Sequence, residues 1–220
     1  MNKNDYIKNL AATIAKFLEP LRNIPFPLAI KVLTGFEVIP FERSQPQAQQ
    51  LLDKIARAAQ IAGERAYAKG IFKGRPNEVG NAIEPFVLQA LRDVGLRSDK
   101  PKAKGGKGKA TAYPDLRIDE GEYVAYLECK TYGTEKKYQS FRTFYMSPSN
   151  NAKVTANAYH LLLSFEIDRA TREGRSAFVP ISWQLYTLDK LLVHVKHEFN
   201  ASNRDLYTRP EALLAEGKIT

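Results

Sequence analysis

Apolar residues recur at helical spacing over residues 1–95. Ile7, Leu10, Ile14, Phe17 and Leu18 form one stripe that ends before Pro20, and a proline-punctuated connector follows. From Pro46 to about Lys69 the spacing predicts a second helix, with Leu51, Leu52, Ile55, Ala58, Ala59 and Ala62 on one side and polar residues on the other. A third is predicted from Asn77 to Gly95. Val79, Ile83, Phe86, Val87 and Leu91 make its apolar side, and Gly80 and Glu84 share an adjacent one.

Periodicity then stops. Residues 97–112 carry Arg97, Lys100, Lys102, Lys104, Lys107 and Lys109 against Asp99 alone, the pattern of a basic loop. Beyond it the period becomes two: a short strand over 114–118, a tight turn at Asp119–Gly121 and a strand over 123–131, together a hairpin. Further strands are expected over 160–167 and 177–186, and a helix from Thr187 to about Glu198. There is no internal repeat.

Composition narrows the class. Of 220 residues 44% are hydrophobic, yet no apolar run approaches the roughly 18–20 residues of a membrane-spanning helix. The N-terminal stretch is charged throughout, unlike a signal peptide, and the single cysteine, Cys129, cannot close an internal disulfide; both fit a cytoplasmic location. A formal charge of +9 suits a partner rich in phosphate, because lysines and arginines that neutralise phosphates release condensed counterions.

The chemistry gathers in the hairpin. Pro114-Asp115 ends one segment of the hairpin; in the next strand, alternation sets Tyr126, Glu128 and Lys130 on one face and turns Leu127 and Cys129 into the core. On that reading the face is exposed, and two carboxylates with an ammonium there do little for stability. They suit a metal site. Asp115 and Glu128 offer the hard oxygen ligands that Mg²⁺ prefers, and Lys130 would orient a water nucleophile and stabilise charge that develops on a phosphate.

Pro114-Asp115, a gap of twelve residues and Glu128-Cys129-Lys130 resemble the signature of the PD-(D/E)XK nuclease superfamily. The likeness covers roughly residues 77–192 and is greatest to type II restriction endonucleases. It implies an α/β fold with a mixed central sheet of about four or five strands flanked by helices, preceded by a helical N-terminal region. The length, with no Gly/Ser linker in the middle, suits one domain over 1–220, with a helical extension (1–76), a catalytic core (77–192) and a C-terminal segment (193–220). The same resemblance implies Mg²⁺ held at Asp115, Glu128 and Cys129, catalysis by Asp115, Glu128 and Lys130, and an acidic residue, Glu84, on the helix before the sheet. The Cys129 thiol is expected to be buried and inert.

The remaining candidates are expected to contact DNA, the alternative being ordinary solvated loops. Lys102, Lys104, Lys107 and Lys109 are placed to follow its backbone, and Ser149, Asn150, Asn151 and Lys153 offer a polar cluster for phosphate or base edges. Glu84 either holds a second ion or steadies Lys130, or is a solvated acid on an exposed helix face. The expected function is Mg²⁺-dependent, sequence-specific cleavage of double-stranded DNA by a homodimer, with a cognate DNA methyltransferase in the same system. A Holliday-junction resolvase or repair nuclease, and a non-enzymatic basic binding module, are the alternatives.

Overall fold

A computed structural model of the protein describes residues 3–19, 21–105, 113–133, 144, 146–148 and 151–195. The chain divides into two compact units, 1–23 with 194–220, and 24–193. In the first, α1 (Lys3–Leu18) presents an exposed apolar stripe that includes Ile7, Leu10, Phe17 and Leu18. The Asn23 N–H donates to His194 Nδ1 at 3.1 Å, and Val195 N–H to the Leu21 carbonyl at 2.9 Å.

The second unit holds β1 (Ile24–Pro25), α2 (Phe26–Thr34), α3 (Pro46–Lys69), α4 (Pro76–Asp93), β2 (Arg97–Asp99), β3 (Leu116–Glu120), β4 (Tyr123–Gly133), β5 (Tyr159–Arg172), β6 (Arg175–Thr187) and β7 (Leu192–Val193). Five strands make one mixed sheet in the order β2-β3-β4-β5-β6. All neighbours are antiparallel except β4 and β5, which run parallel and so need the long crossover between them. No described helix is long and apolar enough to cross a membrane.

Each sheet face is buried by different elements. Over one lie α3 and α4. Ala48, Leu51, Ile55, Ala58, Ala59, Ala62 and Ala66 recur at helical spacing along α3 and share a core with Phe165 and Phe178, the five alanines allowing a close approach of the helix to the sheet. Pro46 starts α3 without losing a needed hydrogen bond. Gly70 ends it at φ +73°, where a Cβ would stand 2.8 Å from Arg172 Cγ. The opposite face is covered by α2 and residues 154–158, whose Phe26, Ile30, Val154 and Ala158 pack with Tyr126 and Leu188 into a second core. Together they give β4 a run of five buried residues, Ala125 to Cys129.

Two expectations change. The proline-rich connector contains α2, since Pro25 and Pro27 occupy the cap and first turn of a helix, where their fixed φ is compatible. The helix expected from Thr187 to Glu198 does not form within the described residues. The chain turns at 188–190 and Leu192–Val193 pairs with Ile24–Pro25 as β7, and residues 196–198 lie outside the described ones. The apolar face of α3 shares a core with Leu127, Cys129 and Leu163 of the sheet.

Candidate active site

The site forms where β3 and β4 part. Their last paired residues are Leu116 and Leu127, so β4 runs on through Glu128 and Lys130 without a backbone partner on that side. Asp115 takes up the ladder with its side chain: Oδ2 accepts the Cys129 N–H at 2.8 Å. This bond satisfies a buried donor and fixes the carboxylate beside the open edge of β4.

Glu128 is buried, with 3% of its surface exposed, which corrects the expectation of an exposed face. Its Oε1 meets Lys130 Nζ at 2.6 Å, whereas Oε2 has no hydrogen-bond partner among the described residues. Burial first, then the Asp115 charge, raise the Glu128 carboxyl to about 7, against a lowering pull from Lys130. A buried carboxylate oxygen without a partner is a strong electrostatic demand for a cation.

Behind Glu128 stands an aromatic wall. Tyr113 OH and His160 Nδ1 are 2.7 Å apart, and Phe26 meets both rings edge-on. Burial pushes His160 down to about 3, so it is neutral. Burial also carries the Tyr113 hydroxyl well above its ordinary value, with the Glu128 charge adding to the rise. Sequence alone does not single out either ring, because neither belongs to a spaced motif.

Glu84 arrives from the other sheet face on α4. A Cβ on Gly80, one turn earlier, would lie 3.8 Å from Thr131 Oγ1, so the Gly80 and Glu84 side of the helix faces the end of β4. Burial and the Asp115 charge raise the Glu84 carboxyl, against Lys100, whose Nζ is 3.4 Å from Glu84 Oε2. Its ion-pair partner is thus Lys100, while Lys130 pairs with Glu128. The structure therefore groups Asp115, Glu128, Lys130 and Glu84.

It also brings in a residue placed elsewhere by sequence. Lys153, expected among the DNA contacts, is buried and donates from Nζ to the Pro114 carbonyl at 3.2 Å. Nothing in its flanking residues, Ala152 and Val154, signals this. Asn151 Oδ1 accepts the Gly105 N–H at 2.7 Å, so its oxygen binds the basic loop. Lys102 and Lys104 are exposed, whereas Lys107, Lys109, Ser149 and Asn150 lie outside the described residues.

Cys129 is buried and its thiol pushed well above its ordinary value, chiefly by burial. A neutral thiol in the α3/α4 core is no ligand. No group of three or more His, Cys, Asp or Glu side chains arranged to hold an ion occurs among the described residues.

The profile of the type II restriction enzyme MjaV family matches residues 20–210. The type II restriction enzyme MjaV of Methanocaldococcus jannaschii is 33% identical over 225 aligned residues, covering 95% of this chain and 96% of that protein. No solved structure matches. A match over nearly the whole chain, spanning every strand and both helices that bear on the site, identifies the chain as a member of the type II restriction enzyme MjaV family.

Proposed function

We propose that this protein is a Mg²⁺-dependent, sequence-specific endonuclease that hydrolyses phosphodiester bonds of double-stranded DNA, with Asp115, Glu128 and Lys130 as its catalytic residues. The observation that carries this reading is the unpartnered Glu128 Oε2, buried beside Asp115 and Lys130 at the divergence of two strands. Family membership supports cleavage of DNA at defined sites. It weighs against a junction resolvase, a repair nuclease or a non-enzymatic module.

The donors fit a hard cation. Two carboxylates from Asp115 and Glu128 suit Mg²⁺, which keeps several waters and takes phosphate oxygens in its other positions. Cys129 would contribute through its carbonyl only. In a strand the N–H and C=O of one residue point to the same side, and the Cys129 N–H points at Asp115. When bound, the ion would polarise the scissile phosphate and make a coordinated water more acidic.

The chain's own groups do the rest. Asp115 is oriented by the Cys129 N–H, which leaves Oδ1 for the ion. Lys130, held at Glu128 Oε1, presents a fixed positive charge to the attacking water and to the negative charge that grows on the phosphate. Glu84 steadies Lys100 at the root of the basic loop, where Lys102 and Lys104 follow the DNA backbone.

A restriction role implies a cognate DNA methyltransferase in the same system and a cytoplasmic location. Cutting both strands of a duplex implies a homodimer. Digestion of a long phage DNA tests the reading: with Mg²⁺ the protein should give discrete bands that vanish in EDTA. A smear would mean nonspecific cleavage. Preferential cutting of four-way junctions over linear duplex would mean a resolvase.

A further inference from the structure

We propose that Lys153 is a positioning residue of this catalytic centre: its buried ammonium anchors the Asp115 segment through the Pro114 carbonyl and moderates the attraction of the carboxylates for a divalent cation. The proposal rests on the nuclease reading above and adds a residue that lies outside the Asp115, Glu128, Lys130 set.

Burial is the first observation. Only 7% of the Lys153 surface is exposed, and a lysine is seldom taken out of water unless its charge is used. The second is its contact. Nζ donates to the carbonyl of Pro114, the residue directly before Asp115, at 3.2 Å. Lys153 thus grips the backbone at the point where β3 leaves β4, while the Cys129 N–H grips the Asp115 carboxylate.

Its surroundings decide the sense of its charge. Asp115, Glu128 and Glu84 all favour the Lys153 ammonium, whereas burial and Lys100 oppose it. The charges of Asp115, Glu128 and Glu84, which approach from both faces of the sheet, all act on the buried Lys153 ammonium. A fixed positive charge there lowers repulsion among them and also repels an entering divalent ion.

Finally, the segment that carries Lys153 is secured. Thr155 N–H donates to Tyr126 OH at 2.8 Å, the Ala152 carbonyl accepts the Lys104 N–H at 3.2 Å, and Asn151 Oδ1 accepts the Gly105 N–H at 2.7 Å. Val154 is sealed in the second core. Lys153 is therefore held inward, away from any phosphate track followed by Lys102 and Lys104.

Three variants separate the two roles. Lys153→Met removes charge and donor, Lys153→Gln keeps a donor without the charge, and Lys153→Arg keeps both. Ca²⁺ binding to the DNA-free protein, measured by calorimetry, is expected to tighten by roughly threefold or more in the Met and Gln variants, because a repelling charge is gone. Turnover at saturating Mg²⁺ is expected to fall by about 10- to 100-fold in the Met variant, less in the Gln variant and least in the Arg variant. The salt dependence of Ca²⁺-supported DNA binding should not change. A merely structural lysine would not couple tighter ion binding to slower turnover.

Unchanged Ca²⁺ affinity in a folded Met or Gln variant overturns the proposal, as does a salt slope reduced by about one unit with normal turnover, which would make Lys153 a phosphate contact. If Lys153→Met does not fold, the Gln and Arg variants supply the same comparison of a neutral donor with a charged one. A wild-type protein that neither binds Ca²⁺ nor cuts DNA overturns the nuclease reading as well. A wild type that does both beside indistinguishable variants overturns the role of Lys153 alone.

Discussion

Burial moves two titrations on one face of the sheet in opposite senses. Glu128 rises to about 7 and His160 falls to about 3. Between its ordinary value of 4.5 and about 7, Glu128 holds a proton in the folded state that the unfolded chain has released, so its contribution is full below 4.5 and is lost as pH rises. His160 works the other way: its contribution is full above 6.5 and is lost as pH falls toward about 3. From pH 4.5 to 6.5 the two slopes oppose each other. Glu128→Gln should therefore expose the His160 slope, with metal-free stability that rises with pH more steeply than in the wild type. Denaturant titrations in EDTA across this window measure it, and parallel pH profiles would return Glu128 to an ordinary carboxylate. The motif residues are legible in the sequence because Pro114-Asp115 and Glu128-Cys129-Lys130 keep a fixed spacing. The burial of Glu128 is not: its same-face neighbour Tyr126 packs with Phe26, Val154 and Ala158, from segments with no periodic relation to β4.

Elements are legible where propensity, period and punctuation agree. Pro46 and Gly70 bracket α3, and alternation marks β3 and β4. The failures have local causes. Prolines at 20, 25 and 27 look like breaks, although two of them begin α2. In residues 188–195 the pairing of Leu192–Val193 with β1 outweighs a weak helical pattern. The basic loop is the element whose function is most open to test. Lys104 and Gly105 hydrogen-bond to Ala152 and Asn151, so its base is fixed beside the proposed catalytic centre while Lys102 and Lys104 stay exposed. Neutralising Lys102, Lys104, Lys107 and Lys109 together should weaken binding to all duplexes alike and flatten the log–log salt dependence, by up to roughly one unit per lost phosphate contact. Altered sequence preference at constant salt slope would show instead that the loop reads bases.

At the scale of the molecule, one centre can hydrolyse one strand, whereas a duplex presents two strands related by a pseudo-two-fold axis. A C2 dimer on DNA is expected, and the sequence offers two apolar helix faces for its interface, Ile7–Leu18 and Leu51–Ala62. The second is used inside the core of its own unit, while the stripe on α1 is exposed, with Phe17 at 68%. Sedimentation with a cognate duplex should give two protein chains per duplex; one chain that makes a double-strand break in a single binding event would exclude the dimer. All of this depends on chemistry at the parting of β3 and β4. Cleavage of phage DNA by Asp115→Ala, Glu128→Ala and Lys130→Ala, compared at matched Ca²⁺-supported DNA binding, tests that chemistry most directly. Each variant should lose on the order of a hundredfold or more in turnover while binding persists. Near-normal turnover in any two of the three would contradict the assignment.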